Sequence, residues 1–360
     1  MQLAFRRFDL KLAHRWMVAS SQAAGGKTIY PSLLVELRDQ DGAVGYGESS
    51  PSRRYLETVE TSMEFLARVD ASRLRFDAIE ASMHYVESLS AGDFSAKGAI
   101  NLALLDAAAK RARQTVHEFL GLEFTEGKHL TSISIGIDAP DLIRRKTQEA
   151  ESFPILKLKV GSPSDAENLA ALRDVAPDKT VRVDANEAWT TKEEALERLE
   201  ELARDPHIEF VEQPMPATSA PSDLAWLKER SPLPLVGDES YLSVADLLLC
   251  ADCFHGVNVK LCKTGGISRA LEALQAARRA GLKTMIGCMV ESSILTSAGA
   301  HLASAADWLD LDGMLLITND PFAGVTVERG VMSFAKASEP FGLRVQKRQG
   351  DDVESSENAP

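Results

Sequence analysis

The sequence predicts an α/β protein: a modified (β/α)8 barrel of the TIM type behind an N-terminal α+β capping domain. Three observations carry this. From residue 131 onward, short β-branched segments alternate with amphipathic ones. The alternation repeats eight times. Before residue 128 the order differs, with strands first and a run of helices after. At 360 residues the chain suits two domains, or one large barrel with an attachment.

In chain order, residues 33–39 and 43–48 flank an Asp41-Gly42 turn and read as a hairpin. The Gly/Ala/Ser-rich stretch Ala19–Gly26 reads as too flexible to form an element, and residues 49–55 as a second irregular segment. Helix spacing runs through 57–68, through 77–89 and through Ile100, Ala103, Leu104 and Ala107. This α+β unit spans 1–128, and the barrel spans 129–328. Its strands are expected at 131–136, 155–160, 180–184, 208–212, 234–238, 256–260, 283–287 and 308–312. Helices are expected at 164–175, 190–204 and 266–280 between them. A repeat of about 25 residues suits the smaller barrels. A doubly wound sheet would place a Gly-rich phosphate loop after a strand, and no strand here is followed by one. Residues 329–345 read as a return strand and turn that rejoin the N-terminal unit, and 346–360 as a polar, disordered tail.

A net charge of −13 argues against nucleic-acid or anionic-membrane partners. No apolar run has membrane-spanning length, and no apolar stretch follows the N-terminal residues, so a cytoplasmic location is expected. Cys250 and Cys253 form a CxxC without a second pair, and read as buried thiols on a core helix. The seven histidines show no metal-ligand spacing.

The chemistry sits at the strand ends, where barrel active sites lie. Five successive strands close with Lys159, Asp184, Glu212, Asp238 and Lys260. One charged residue at a strand end is ordinary; five in a row are not. Three carboxylates on adjacent strands repel one another and call for a hard divalent cation, with magnesium fitting oxygen ligands better than zinc. The strands ending in Lys159 and Lys260 are four apart, so the lysines face each other across the mouth. A carbon acid held between them, its carboxylate on the cation, can lose a proton to one and gain one from the other through an enediolate. Lys157, two residues before Lys159, shares its face and with the cation would lower its pKa. Racemisation or epimerisation follows, and elimination or cycloisomerisation could use the same apparatus.

These motifs, Lys157-Leu-Lys159, Asp184-Ala-Asn186, Glu212-Gln-Pro214, Asp238-Glu-Ser240 and Asn258-Val-Lys260, resemble the muconate lactonizing subgroup of the enolase superfamily. The resemblance covers nearly the whole chain, including the helix around Asp106. It implies Asp184, Glu212 and Asp238 as magnesium ligands and Lys159 and Lys260 as acid/base catalysts, with Lys157 also holding the substrate carboxylate. Asp310-Leu-Asp312 is similar to the motif by which dipeptide epimerases hold a substrate ammonium. The segments from Lys260 to Ile267 and from Gly287 through Met289 to Ser292 also resemble that group. Ser134 is expected to bind the substrate backbone.

The reading is therefore a magnesium-dependent dipeptide epimerase acting at the C-terminal α-carbon. The alternatives are an N-acylamino acid racemase or o-succinylbenzoate synthase, a Schiff-base lyase, or a binding protein without catalysis. In the family, capping loops read the substrate side chains. Here these are residues 15–30 and 50–56, where Arg53, Arg54 or Lys27 would hold an acidic side chain. Tyr30, Met17 and Leu56 leave small or hydrophobic dipeptides open. Members of this family often form homo-oligomers.

Overall fold

The computed structural model describes residues 1–348. Strands β1 (Gln2–Trp16), β2 (Lys27–Arg38) and β3 (Val44–Ser49) form an antiparallel sheet in that order. The β2–β3 register begins at Arg38↔Val44, so the turn falls at Asp41-Gly42 as expected. Asp39 closes it by accepting from the amides of Asp41 (3.0 Å) and Ala43 (2.9 Å), and Gly42 takes φ 82° without a Cβ penalty. Helices α1 (Val59–Ala67), α2 (Ile79–Ser88) and α3 (Phe94–Ala112) follow. The alanine-rich α3 lies buried against the sheet. A Cβ at Gly45 or Gly47 would stand 1.9 or 2.0 Å from a carbonyl oxygen of α3, so glycine alone permits this approach.

One expectation fails in the capping domain. Residues Ala19–Ala24, read as too flexible to form an element, make a 3-10 helix. The Ser21 hydroxyl accepts from Val18 N (3.0 Å), and Gly25 ends the turn at φ 74°. Small side chains carry no periodic signal, and local side chain–backbone bonds decide such a segment.

Helix α4 (Val116–Phe119) leads into the barrel. Its strands are β4 (Ile133–Ile135), β5 (Ile155–Lys159), β6 (Thr180–Asp184), β7 (Ile208–Glu212), β8 (Leu235–Gly237), β9 (Gly256–Lys260), β10 (Lys283–Gly287) and β11 (Trp308–Asp310). All eight expected strands are present, in sequential parallel order, and a bridge from Thr131 to Leu309 joins the first to the last. The outer helices are α5 (Pro140–Glu149), α6 (Asp165–Val175), α7 (Lys192–Leu202), α8 (Pro221–Arg230), α9 (Leu247–Cys253), α10 (Leu261–Thr264), α11 (Ile267–Arg279) and α12 (Ser293–Ala300). Cys250 and Cys253 are buried on α9, as expected. Inside the barrel, Phe210, Val236 and Met285 pack with Trp308 as a closed apolar layer. Across it, Arg182 donates to Leu309 O (2.7 Å) and pairs with Glu209 (2.7 Å).

After the barrel, β12 (Phe322–Ala323), β13 (Thr326–Glu328) and β14 (Val331–Ser333) precede a return to the capping domain. There Leu343 N donates to the buried Asp106 carboxylate (2.8 Å) and Val116 N to Gly342 O (2.9 Å). Asp106 also accepts from Tyr46 N and Lys110, so one buried carboxylate ties together sheet, helix and C-terminal segment. Order continues past Val345, contrary to expectation: Gln346–Lys347 form β15, paired with β12. The rest of the expected disordered tail, 349–360, lies outside the described residues. No described helix is long and apolar enough to cross a membrane.

Candidate active site

A cavity of about 550 Å³ lies between the C-terminal rim of the barrel and the capping domain. Strand register sets the layer at its base: β5, β6 and β7 align Lys159, Asp184 and Glu212 at one level, and β9, β10 and β11 align Lys260, Gly287 and Asp310, of which Lys159, Lys260 and Asp310 line the cavity. Gly287 leaves room for Asn258, whose Oδ1 would stand 2.5 Å from a Cβ there. Asn258 in turn donates to Glu212 (2.8 Å).

Two cationic walls face each other across this floor. On one, Lys159 Nζ pairs with Asp184 (2.5 Å). On the other, Lys260 Nζ pairs with Asp238 (2.8 Å). Each wall has a second, deeper lysine. Lys157 Nζ contacts Asp310 (2.6 Å), Glu212 (2.7 Å) and Asp184 (3.1 Å). Lys263 contacts the Asp238 carboxylate and donates to Asp238 O (2.6 Å) and Asn258 O (3.1 Å). Lys263 lies within the Lys260–Ile267 segment, and its role behind Asp238 depends on the turn of α10, which no strand pattern reveals.

These groups are all buried, and their charges compete. Burial works against the ammonium of Lys157, but Asp310, Glu212 and Asp184 overcome it and hold its pKa well above the ordinary lysine value. Lys260 is raised in the same way, chiefly by Asp238 and Glu212 against burial. Asp238 is held below the usual carboxylate range because Lys260 and Lys263 outweigh its burial. Glu212 is pushed up to about 7 by burial and by Asp184. Glu239, which sequence reasoning did not assign to the site, is pushed up to about 8 by burial and by Asp238 and Asp184.

Of the three expected metal ligands, Asp238 lines the cavity, while Asp184 and Glu212 lie fully buried beneath it, with a lysine ammonium against each of the three. Among the described residues, no three Asp, Glu, His or Cys side chains stand close enough to grip one ion. The donor set nevertheless fits a hard cation: three buried carboxylates on neighbouring strands, whose mutual repulsion is visible in Glu212. Buried oxygens Glu239 Oε2 and Asn186 Oδ1, at the same rim, lack hydrogen-bond partners within the described residues.

The remaining expected residues also line the cavity: Ser134, Asp310, Asp312, Met289 and Arg54. Asp310 accepts from Lys157 and from Ser132 Oγ (2.7 Å), and Asp312 from Ser134 N (2.6 Å). Ser134 thus meets Asp312 through its backbone amide. Burial and Asp310 together raise the Asp312 carboxyl, whereas Lys157 and Lys159 hold Asp310 at about 2 against its burial. Arg54 does not stand free for a substrate. It makes a bidentate pair with Glu187 (2.6 and 2.7 Å), a residue the sequence reading passed over.

The site is thus a capped (β/α)8 barrel with opposed lysines and acidic strand ends at one rim. Residues 12–121 match the mandelate racemase / muconate lactonizing enzyme N-terminal domain, and residues 141–330 the enolase C-terminal domain-like family. The chain is 60% identical, over 97% of its length and all of the relative's, to the L-Ala-D/L-amino acid epimerase of Pedosphaera parvula. It is 38% identical to the L-Ala-D/L-Glu epimerase of Bacteroides thetaiotaomicron, covering 92% of this chain and 84% of that one. A dipeptide epimerase from Enterococcus faecalis, solved with Mg and L-Leu-L-Tyr, superposes with a TM-score of 0.84 at 30% identity, covering 96% of this chain and 98% of that one. The chain belongs to the mandelate racemase / muconate lactonizing branch of the enolase superfamily, as its motifs implied, and is an isomerase of the racemase and epimerase kind.

Proposed function

We propose that this chain is a magnesium-dependent dipeptide epimerase that inverts the α-carbon of the C-terminal residue by two-lysine 1,1-proton transfer. The observation that supports it most is the pair of opposed walls, Lys159 on Asp184 and Lys260 on Asp238, facing one cavity that also contains Asp310 and Asp312.

Asp184, Glu212 and Asp238 would hold the magnesium, which when bound supplies positive charge against the substrate carboxylate. The chain's own residues do the rest. The substrate α-carbon lies between Lys159 and Lys260. The lysine on the face carrying the α-proton accepts it as a free amine, and the ammonium opposite donates a proton to the other face. For the other enantiomer the roles exchange, so both epimers are substrates and products. Asp238 and Glu212 raise Lys260 against its burial, which favours its donating role over its accepting one. Lys157 stays cationic two residues from Lys159 and leaves a charge for the substrate carboxylate. Asp310 already pairs with the Lys157 ammonium, whereas Asp312 accepts from the neutral Ser134 amide and Cys288 thiol, so Asp312 is the better partner for a substrate ammonium.

A library of Ala-X dipeptides, incubated in heavy water with and without EDTA, tests the proposal. Deuterium should enter only the C-terminal α-carbon, and EDTA should stop it. Labelling of N-acylamino acids in preference to free dipeptides would favour the N-acylamino acid racemase reading. Borohydride trapping of a substrate adduct would favour the Schiff-base lyase.

A further inference from the structure

Two stretches of unfavourable backbone face each other across the cavity mouth. On the barrel side, Asn186 and Glu187 are consecutive left-handed residues, at φ 43° and 67°, just beyond Asp184. On the capping side, the 3-10 turn Arg53–Tyr55 ends at Leu56, φ 61°. The Leu56 side chain is 91% exposed, so this conformation is held by backbone alone, with Leu56 N donating to Arg53 O (3.1 Å) and Glu57 N to Ser52 O (3.2 Å). Non-glycine residues hold such conformations only where their surroundings over-determine them.

The two stretches are joined by one contact. Glu187 is fixed from the barrel: its amide donates to Gln213 O (2.9 Å) and its Oε1 accepts from Ala217 N (2.8 Å). Arg54 reaches it from the capping domain with two parallel bonds, and the Arg54 guanidinium lies 5.8 Å from the Tyr55 ring centre. Bidentate geometry is the strong form of such a pair. Glu187 is only 16% exposed and Arg54 42%. Tyr55, next in sequence, lines the same cavity as Lys260, Asp238 and Glu239.

We infer that Arg54 and Glu187 form a latch that holds the capping loop over the barrel mouth and so positions Tyr55 against the Lys260 wall. Both are positioning residues. Glu187 occupies Arg54, so the arginine closes the site and does not read the substrate. The consequence for substrate binding rests on the proposed dipeptide activity; the latch itself does not.

The test uses the full chain with Arg54→Gln, Glu187→Gln and the charge swap R54E/E187R. Amide hydrogen exchange across 52–58, measured without substrate, should quicken by about two- to fivefold in each single variant and slow again in the swap. With a turned-over Ala-X dipeptide, KM should rise by a similar factor while kcat stays within about twofold. Salt at about 0.5 M should raise the wild-type KM and leave that of Glu187→Gln unmoved. Unchanged exchange in both single variants would overturn the latch. So would quickened exchange accompanied by a fall in kcat alone. If no dipeptide is turned over, the exchange measurement still decides the latch while the activity reading fails separately.

Discussion

The barrel rim and the capping loops line one cavity and are built in opposite ways. The rim places its charges at or just beyond strand ends, in register with neighbouring strands and buried among partners. The cap places Arg53 and Arg54 on one short 3-10 turn and Lys27 at the start of β2, exposed and held by a few side-chain contacts such as Arg54 to Glu187. A reaction that needs two lysines at fixed positions belongs on the rigid part. Selection among substrates belongs on the part that can be rebuilt without disturbing the ladder.

The strongest way to break this comparison is to remove one wall. Lys159→Ala or Lys260→Ala should lower epimerisation by about 10²- to 10⁴-fold, the usual worth of a positioned acid or base. Each variant should keep α-proton exchange on one epimer only, read by NMR in heavy water. Symmetric loss of exchange on both epimers would mean that one lysine does both jobs. Next in size is Glu212→Gln. It removes one of three carboxylates, and magnesium affinity measured by calorimetry without substrate should weaken by at least about tenfold. Equal affinity would place the ion elsewhere.

The rim was legible in the sequence for a physical reason. Parallel strands at regular spacing put their C-terminal residues at one level, so Lys159, Asp184, Glu212, Asp238 and Lys260 could be aligned by counting. Glu187 could not. Its role depends on a left-handed backbone and on Arg54, 133 residues away. The helix at Ala19–Ala24 was missed because its small residues carry no period. His301 and His117 show no metal-ligand spacing in the sequence, yet they meet at the seam between barrel and cap, 184 residues apart, with their Nδ1 atoms 2.8 Å apart.

That seam gives a third, smaller effect. His301 is fully buried and stacks on Phe334, with ring centres 4.6 Å apart. Burial first, then His117, pushes its pKa down to about 3. The native state therefore refuses a proton that the unfolded chain accepts near pH 6.5. Stability from this group is complete above that pH and declines as pH falls toward about 3, by about 1.4 kcal/mol per pH unit within the window. Denaturant unfolding of wild type and His301→Phe at pH 7.5 and 5.5 should show the wild type losing more stability by about that amount. Parallel losses would mean that His301 is not the proton-excluding group at the seam.

The smallest effect sharpens the cap's side of the comparison. Of the cations lining the mouth, Arg54 is bound to Glu187, and Arg7 to Asp9 and Glu60. Lys27 and Arg53 form no ion pair among the described residues, and Lys27 Nζ rests 5.0 Å from the Tyr30 ring centre. They are the charges left to meet an acidic substrate side chain. Replacing both with Ala should raise KM for Ala-Glu by about two- to fivefold, the worth of solvent-accessible ion pairs, and leave KM for Ala-Leu unchanged. Because neither residue touches the barrel floor, kcat should hold for both substrates. A KM rise shared by Ala-Leu would show that the loops act by closure alone, and that discrimination between side chains is made on the rim.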